Sequence, residues 1–226
     1  MTSVLITGAN RGLGLEFARQ YSEAGWRVFA TARASSAELD ELLGKQPQVS
    51  FHALDIGDES SVHALARALR DPIDLLLNNA GMMGPQRQSI GKLDAAGMLE
   101  TLRINTVAPL LVADAFVDHV ARSERKLMIA ITSGMGSIDD TSGGYYAYRA
   151  SKAALNMTFR NLALDLRNRG IIAAVINPGW VQTDMGGGGA PTPVHESIAK
   201  MRKVFDGLKP KDSGSFLDYK GGTLPW

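Results

Sequence analysis

The chain has 226 residues, of which 45% are hydrophobic and 21% charged, values typical of a single soluble domain of this length. Its formal net charge of +1 gives no strong field to attract nucleic acid or an anionic membrane. The absence of cysteine excludes disulfides, thiolate metal sites and a thiol nucleophile. No basic segment with a long apolar run opens the chain, so no secretory signal is expected, and Ile171–Ile176, the longest apolar run, is too short to span a bilayer. We therefore expect a cytoplasmic protein without a nucleic-acid or membrane partner.

Strand-like and helix-like segments alternate along the chain. Ser3–Thr7 predicts a first strand, Leu13–Ala24 a helix that ends at Gly25, and Trp26–Ala32 a second strand. Further strands are predicted at Val49–Leu54, Ile73–Leu77, Lys126–Thr132 and Ile171–Ile176, and further helices at Ser60–Leu69, Met98–Ala121 and Ala147–Arg169. Several strands are apolar almost throughout, which is typical of a sheet covered by helices on both faces. The sequence thus predicts an α/β protein with one domain over residues 1–226. Its sheet would be a Rossmann-type, doubly wound parallel sheet of about seven strands.

The glycine-rich stretch Gly186–Pro193 reads GGGGAPTP and resembles a linker. Too little sequence follows it to form a second domain. We therefore expect a mobile lid over residues 186–207.

A glycine-rich loop, TGANRGLG over Thr7–Gly14, lies between the first predicted strand and the first predicted helix. Gly8 suits a tight turn, and Gly12 and Gly14 would let the helix N-terminus approach a pyrophosphate closely. A glycine-rich turn without a ligand is the alternative, but the strand–loop–helix context favours a dinucleotide site. The loop residues expected to contact a cofactor are Gly8, Asn10, Arg11, Gly12, Leu13 and Gly14.

The charges after the second strand bear on which dinucleotide binds. NAD-binding proteins usually place an acidic residue there to hold the ribose 2′-hydroxyl. Here Arg33 occupies that region, and the next acidic residue is Glu38. Arg33, together with Arg11 in the glycine loop, would attract a 2′-phosphate, so we expect NADP(H) in preference to NAD(H).

Asp55 ends the third predicted strand in HALDI, with Ile56 after it. This position would bring Asp55 to the adenine, and Ile56 beside it. Asp55 could equally cap the helix that begins near Ser60.

The stretch GGYYAYRASKAAL, Gly143–Leu155, places a cation four residues after two of its tyrosines. Tyr145 is followed by Arg149 at this spacing, and Tyr148 by Lys152. Positions i and i+4 share a helix face, so either cation could lie near its tyrosine. The spacing alone does not choose between the pairs, but Gly143 and its neighbour Gly144 favour a loop at Tyr145.

Six motifs follow one another along the chain. They are TGANRGLG, LNNAG (Leu77–Gly81), RINTVAP with Asn105, ITSG with Ser133, YRASK (Tyr148–Lys152) and NPGWVQTDM (Asn177–Met185). In this order and spacing they make the chain resemble the short-chain dehydrogenase/reductase family over nearly its whole length. The resemblance is closest to sniffer-type carbonyl reductases and bacterial C-factor-like proteins.

The resemblance implies a catalytic tetrad of Asn105, Ser133, Tyr148 and Lys152. Tyr148 would donate a proton to a carbonyl oxygen that Ser133 holds. Lys152 would bind the nicotinamide ribose and lower the pKa of Tyr148 from its usual value of about 10. Asn105, in an irregular part of its helix, would hold a water that links Lys152 to solvent.

The remaining motif residues are expected to bind the cofactor together with Tyr148 and Lys152. The small residues Ala150 and Ser151 would let it approach the tyrosine helix. Asn79 is also expected to tie neighbouring strands together. The cofactor-binding residues implied outside the glycine loop are Arg33, Asp55, Ile56, Asn79, Ala80, Gly81, Pro178, Gly179, Val181 and Thr183.

These patterns predict NADPH-dependent reduction of an aldehyde or ketone. An NADP-binding signalling or redox-sensing protein with little turnover is the main alternative, and a non-redox epimerase or dehydratase is a third. The partners expected are a small carbonyl or alcohol substrate and further copies of the chain, in a homodimer or a larger homo-oligomer. The four histidines show no ligand spacing, so no metal site is expected.

Overall fold

The computed structural model describes residues 1–226 and contains one seven-stranded, fully parallel sheet. The strand order is β3-β2-β1-β4-β5-β6-β7, so the order reverses between β1 and β4. This confirms the predicted Rossmann-type sheet. The strands are β1 (Ser3–Thr7), β2 (Arg27–Ala32), β3 (Val49–Ala53), β4 (Leu75–Asn78), β5 (Leu127–Ile131), β6 (Ile172–Asn177) and β7 (Phe216–Asp218).

The chain forms seven α-helices. They are α1 (Gly12–Glu23), α2 (Ala37–Lys45), α3 (Glu59–Ala68), α4 (Ala95–Leu102), α5 (Ala108–Ala121), α6 (Tyr146–Asp165) and α7 (Val194–Gly207). One hydrophobic core contains residues of α1, α2 and α7, and the other contains residues of α3, α5 and α6. Successive residues of β1 alternate between these cores, since Val4 and Ile6 lie in the first and Leu5 in the second. Burial on both faces explains why the strands are apolar almost throughout.

The single helix predicted over Met98–Ala121 is in fact two helices, α4 and α5, joined by a π-helical turn at Arg103–Val107. In this turn the Ala108 N–H bonds the carbonyl five residues back, at Arg103. Pro109 has no N–H, so the regular bond to the Asn105 carbonyl cannot form. The irregularity expected around Asn105 is therefore present.

The stretch Ala95–Ala121 has 27 residues and is long and apolar enough, by length and composition, to cross a membrane. Half of its most apolar window is buried within the fold. Four residues of α5, namely Ala108, Val112, Phe116 and Val120, are fully enclosed in the second core. This burial is typical of a core helix in a globular protein.

Three elements were not predicted from the sequence: α2, α7 and β7. Helix α2 begins after Ser36, whose side chain accepts a hydrogen bond from the Leu39 N–H. Helix α7 occupies 194–207 of the expected lid, and its Ile198, Met201 and Phe205 are buried in the first core. A mobile lid is therefore expected only over the residues before α7, 186–193. The motion of these residues stays a prediction.

Candidate active site

The predicted site residues lie at one edge of the sheet, because all strands are parallel and their carboxyl ends point the same way. Ligands bind at this edge in open parallel sheets, where the strand order reverses. The residues within two positions of the strand ends are Gly8 after β1, Arg33 after β2, Asp55 after β3, Asn79 after β4, Ser133 after β5 and Pro178 after β6.

The glycine loop brings the N-terminus of α1 against the end of β1. A Cβ at Gly14 would lie 2.1 Å from the Gly8 carbonyl oxygen and 2.6 Å from Asn79 Nδ2, so only glycine permits this approach. Arg11 occupies the N-cap without a side-chain cap bond, and the first turn contains no acidic residue. The free N–H groups and the positive end of the helix dipole are thus available to an anion.

The turn after β2 is fastened to the glycine loop. Asn10 Nδ2 donates to the Ala34 carbonyl at 3.1 Å, and the Ser36 hydroxyl donates to the Asn10 carbonyl at 2.7 Å. Arg33, next to Ala34, is exposed and forms no ion pair. This leaves its guanidinium free to bind a phosphate.

Arg11 differs from Arg33 because it already has a partner. Its Nη1 lies 3.0 Å from Asp184 Oδ2, and both side chains are largely exposed. Exposed ion pairs contribute little to stability, so Arg11 can exchange Asp184 for another anion.

Asp55 does not cap α3. The N-cap is Asp58, whose side chain accepts from the Ser60 N–H. Asp55 Oδ1 instead accepts from the Gly57 N–H at 2.9 Å within the loop, and Ile56 is buried beside it. Of the two roles considered for Asp55, the helix cap is excluded.

Asn79 joins the carboxyl ends of β1 and β4. Its Nδ2 donates to the carbonyls of Thr7 and Gly8 at 2.9 and 3.1 Å. The Thr7 hydroxyl oxygen in turn accepts from the N–H groups of Asn79 and Ala80, each at 3.0 Å. The structure therefore has the expected tie between neighbouring strands.

Asn105 lies in the π-helical turn and is almost fully buried. Its Oδ1 accepts from the Met82 N–H, and its Nδ2 donates to the Met82 carbonyl and to Ser151 Oγ, at 2.8, 2.8 and 2.9 Å. One lone pair of Oδ1 remains for a further partner. Ser151 is fully buried against Asn105, so the expectation that it lets a cofactor approach α6 is wrong.

The structure separates the two tyrosine–cation pairs. Tyr145 precedes α6 in the left-handed conformation, with φ of 48°, and is 53% exposed, whereas Tyr148 is 7% exposed. The Arg149 guanidinium donates to the Gly143 carbonyl and the Ser142 hydroxyl, so the loop entering α6 holds it. Tyr148 and Lys152 are both buried on one face of α6.

Lys152 is a buried cation whose hydrogen-bond partner is not a carboxylate. Its Nζ donates to the Ile131 carbonyl at 2.8 Å and lies 5.8 Å from the centre of the Tyr148 ring. A Cβ added at Gly81 would lie 3.7 Å from this Nζ and 3.2 Å from Asn105 Oδ1. The fold thus brings Gly81, Asn105 and Lys152 together beside Tyr148.

Burial governs the protonation of both groups. Desolvation lowers the pKa of Lys152 to about 8. Desolvation also raises the pKa of Tyr148, and a hydrogen bond with Ser133 opposes this only in part. The expectation of a lowered Tyr148 pKa is therefore wrong for the chain by itself, because loss of water around the phenol outweighs the hydrogen bond with Ser133.

Ser133 begins a short 3₁₀ turn, Gly134–Gly136, after β5, and its Oγ accepts from the Met135 N–H at 3.1 Å. The turn packs directly on α6, since a Cβ at Gly136 would lie 2.9 Å from the Lys152 backbone. This packing places the Ser133 hydroxyl on the side of the site where Tyr148 lies.

The segment after β6 folds back on itself. The Pro178 carbonyl accepts from Ser197 Oγ of α7 at 2.7 Å, and Gly179 has a positive φ of 83°. Val181 is buried and bridges to Thr192. Thr183 Oγ1 accepts from the Gly186 N–H at 3.0 Å. The first residue of the glycine stretch is therefore hydrogen-bonded to a residue that is expected to bind the cofactor.

Gln88 adjoins the site but was not identified from the sequence. It is buried, and its Oε1 accepts from the backbone N–H of Tyr148 at 3.0 Å. No motif marks it. The available signal was indirect, because Gly143, Gly144 and Tyr145 offer α6 no Ser, Thr, Asp or Asn as a cap.

The residues present fit a nicotinamide dinucleotide. The glycine loop leaves the N-terminus of α1 open to a pyrophosphate, and Gly81 keeps the space beside Asn105 and Lys152 clear. Lys152 spends one of its three N–H donors on Ile131, which leaves two for ribose hydroxyls. No group of three or more His, Cys, Asp or Glu side chains is arranged to hold a metal ion.

The fold and this site define a dinucleotide-binding oxidoreductase. A family model described as short chain dehydrogenase matches residues 2–191. The chain belongs to the short-chain dehydrogenase/reductase family.

The chain is similar to proteins of both groups predicted from its motifs. C-signal from Myxococcus xanthus is 45% identical over 156 residues, which cover 69% of this chain and 93% of that protein. Carbonyl reductase Sniffer of D. melanogaster has a TM-score of 0.93 and 32% identity, with 100% of both chains covered. The NADPH-bound carbonyl reductase from chicken fatty liver has a TM-score of 0.93 and 35% identity, covering 100% of this chain and 99% of that one. The predicted resemblance is confirmed, and these neighbours support a nicotinamide cofactor.

The burial of Lys152 predicts a specific dependence of stability on pH. With a pKa of about 8 in the fold and 10.5 when unfolded, Lys152 binds more protons in the unfolded chain between these values. Its contribution to the free energy of unfolding should therefore rise with pH across this window. In Lys152→Met this rise should be lost, so the wild type should gain roughly 3 kcal/mol relative to the variant between pH 7 and 10.5. Urea unfolding at a series of pH values measures the difference.

Lys203→Met is the matched control, because Lys203 is exposed on α7. Its profile should run parallel to that of the wild type. A parallel profile for Lys152→Met as well would contradict the assignment of Lys152 as a desolvated cation.

Proposed function

We propose that the protein reduces an aldehyde or ketone to an alcohol with NADPH, with Tyr148 as the general acid. The observation that carries this proposal is the burial of Tyr148 and Lys152 on one face of α6, beside Gly81 and Asn105. This cluster lies at the edge where ligands bind in such sheets. A protein that only bound a dinucleotide would not require a buried phenol and ammonium there.

Carbonyl reduction needs a hydride at carbon and a proton at oxygen. NADPH would supply the hydride. Tyr148 would donate its phenolic proton to the oxygen, and the Ser133 hydroxyl would hydrogen-bond the same oxygen. The raised pKa of Tyr148 keeps the phenol protonated and ready to donate at neutral pH.

Lys152 and Asn105 would support the proton donor. The Ile131 carbonyl fixes the Lys152 ammonium, whose remaining N–H groups can hold the ribose. Asn105 uses its side chain on Met82 and Ser151, and its last lone pair can accept from a water that leads to Lys152. The main contribution of Asn105 would be to fix, through these bonds, the shape of the space beside Lys152.

The exposed guanidinium of Arg33 supports a preference for NADP(H) over NAD(H). Arg33 has no competing carboxylate, and the bonds of Asn10 to Ala34 and Ser36 hold it beside the glycine loop. Arg11 would join it by leaving Asp184. An Asp or Glu that could bind a 2′-hydroxyl is missing from this turn.

We propose a small carbonyl or alcohol as the substrate, because the buried Tyr148 and Lys152 suit its reduction or oxidation. We further propose that the protein is cytoplasmic and has no nucleic-acid or membrane partner.

We also propose that the chain forms a homodimer through the helices that hold Asn105 and Tyr148. Exposed apolar side chains on these helices support it: Leu99, Val107, Met157 and Leu164.

A second candidate function is signalling through NADP binding with little turnover. The relative named C-signal, 45% identical over 156 residues, favours it. The two candidates differ in turnover, since only a reductase consumes NADPH in the presence of a carbonyl compound. Absorbance measurements with a panel of aldehydes and ketones distinguish them.

The cofactor preference can be tested by Arg33→Asp. Loss of a charge-assisted bond to phosphate and gain of a repulsive charge should weaken NADPH binding by about ten- to a hundredfold, with NADH binding changed much less. Titration of cofactor fluorescence measures both affinities. Arg70→Asp makes the same charge change before β4, at the opposite edge of the sheet, and should alter neither. Equal affinity of the wild type for NADH and NADPH would refute the preference.

The lid can be tested by amide exchange at Gly186–Gly189. Glycines lose more backbone entropy on ordering than other residues, so we expect fast exchange that slows when NADP⁺ and substrate are saturating. The amides of α7 from Ile198 to Phe205 serve as an internal reference. Exchange that ligands leave unchanged at the glycines would exclude closure.

The proton donor can be tested by Tyr148→Phe, which keeps the ring but removes the transferable proton. NADPH affinity should stay within a few-fold, while reduction should fall by about 10²–10⁴. Lys152→Ala should damage both. In the wild type, reduction should decline as pH rises through the Tyr148 pKa, and alcohol oxidation should decline as pH falls through it.

Tyr145→Phe is the matched control, because this phenol lies outside the buried cluster. Its chemical step should remain close to that of the wild type. If Tyr148→Phe reduces a good carbonyl substrate at nearly the wild-type rate, Tyr148 is not the proton donor.

A further inference from the structure

The helix that carries Tyr148 begins without a cap of its own. Tyr145 occupies the N-cap position in the left-handed conformation and makes no side-chain cap bond. The Arg149 N–H donates to the Tyr145 carbonyl, so the N–H of Tyr148 belongs to the helix start, where no intrahelical acceptor is available. This N–H is buried and needs a partner from elsewhere in the chain.

Gln88 supplies that partner from 60 positions earlier in the chain. Its Oε1 accepts from the Tyr148 N–H at 3.0 Å, and its Nε2 donates to the carbonyls of Met83 and Pro85, each at 2.9 Å. The side chain amide thus uses both of its N–H groups and its oxygen in a buried position.

These bonds make the segment Met82–Gln88 a strap between two catalytic residues. Asn105 holds both backbone groups of Met82 at its start, and Gln88 holds the Tyr148 backbone at its end. The strap follows Gly81 directly, so it continues from the segment expected to line the cofactor.

We propose that Gln88 is a positioning residue for Tyr148. By fixing the first turn of α6 to the strap, Gln88 sets how deeply the phenol is buried and where its hydroxyl lies relative to Ser133 and Lys152. Its effect on turnover rests on the proposed reductase function, whereas its effect on the Tyr148 backbone does not.

Two substitutions separate the bonds that Gln88 makes. Gln88→Leu removes all of them at similar volume. Gln88→Glu keeps an acceptor for the Tyr148 N–H but lacks the donors to Met83 and Pro85. Gln86→Leu is the matched control, because Gln86 lies in the same strap, is exposed and makes no side-chain hydrogen bond.

The experiment combines amide exchange at Tyr148 with steady-state kinetics of carbonyl reduction. In Gln88→Leu, exchange at Tyr148 should quicken at least tenfold, and kcat should fall about tenfold with the KM for NADPH within twofold. Gln88→Glu should restore most of the protection and part of kcat, and Gln86→Leu should match the wild type. NADPH-binding stoichiometry corrects each kcat for the folded fraction.

Unchanged exchange at Tyr148 in Gln88→Leu would overturn the proposal, as would faster exchange with wild-type kcat. If Gln88→Leu does not fold, failure of Gln88→Glu to protect the Tyr148 amide overturns it instead. A wild type that reduces no carbonyl compound would refute the proposed function alone, and exchange would still decide whether Gln88 holds Tyr148.

Discussion

The active-site geometry depends on one hydrogen bond, from the buried Lys152 ammonium to the Ile131 carbonyl. A buried ammonium is costly unless it is paired, and here a backbone oxygen at the end of β5 is its protein partner. That bond ties α6 to the end of β5, one helical turn after Tyr148. Gly136 must be small for the Ser133 turn to pack against the same helix, and a Cβ at Gly81 would crowd Asn105 Oδ1 at 3.2 Å. The four residues of the expected tetrad therefore lie around a cation that is held by a backbone carbonyl and not by a carboxylate.

The strand order reverses next to this cation, between β1 and β4. Asn79 joins the carboxyl ends of these two strands, and the Thr7 hydroxyl accepts two hydrogen bonds from the loop that contains Asn79. The open N-terminus of α1 and the free guanidinium of Arg33 then lie along one edge with Tyr148. The glycine loop and Arg33 thus lie at the ends of β1 and β2, whereas Ser133 follows β5.

A feature could be predicted from the sequence when residues close to it in the chain determine it, and was missed when its partner lies far away in the chain. The glycine loop was found because neighbouring residues determine it, and the loop position of Tyr145 was found because two glycines precede it. The expected tetrad came from the resemblance to a family and stays a prediction. Gln88 was missed because its partner is 60 positions away and no local pattern links them. Helix α7 was hidden by the glycines before it, and its apolar side chains became informative only once they packed on α1. The direction of the Tyr148 pKa was predicted wrongly because sequence shows the nearby cation but not the loss of water.

The π-helical turn at Arg103–Val107 links the position of Asn105 to the stability of the whole domain. An α-helix turns by about 100° per residue, so removing one residue here would rotate α5 by that angle relative to α4. Val112, Phe116 and Val120 would then leave the core, and Asn105 would turn away from Met82. A mutation that made this helix regular would therefore damage folding and the site at once.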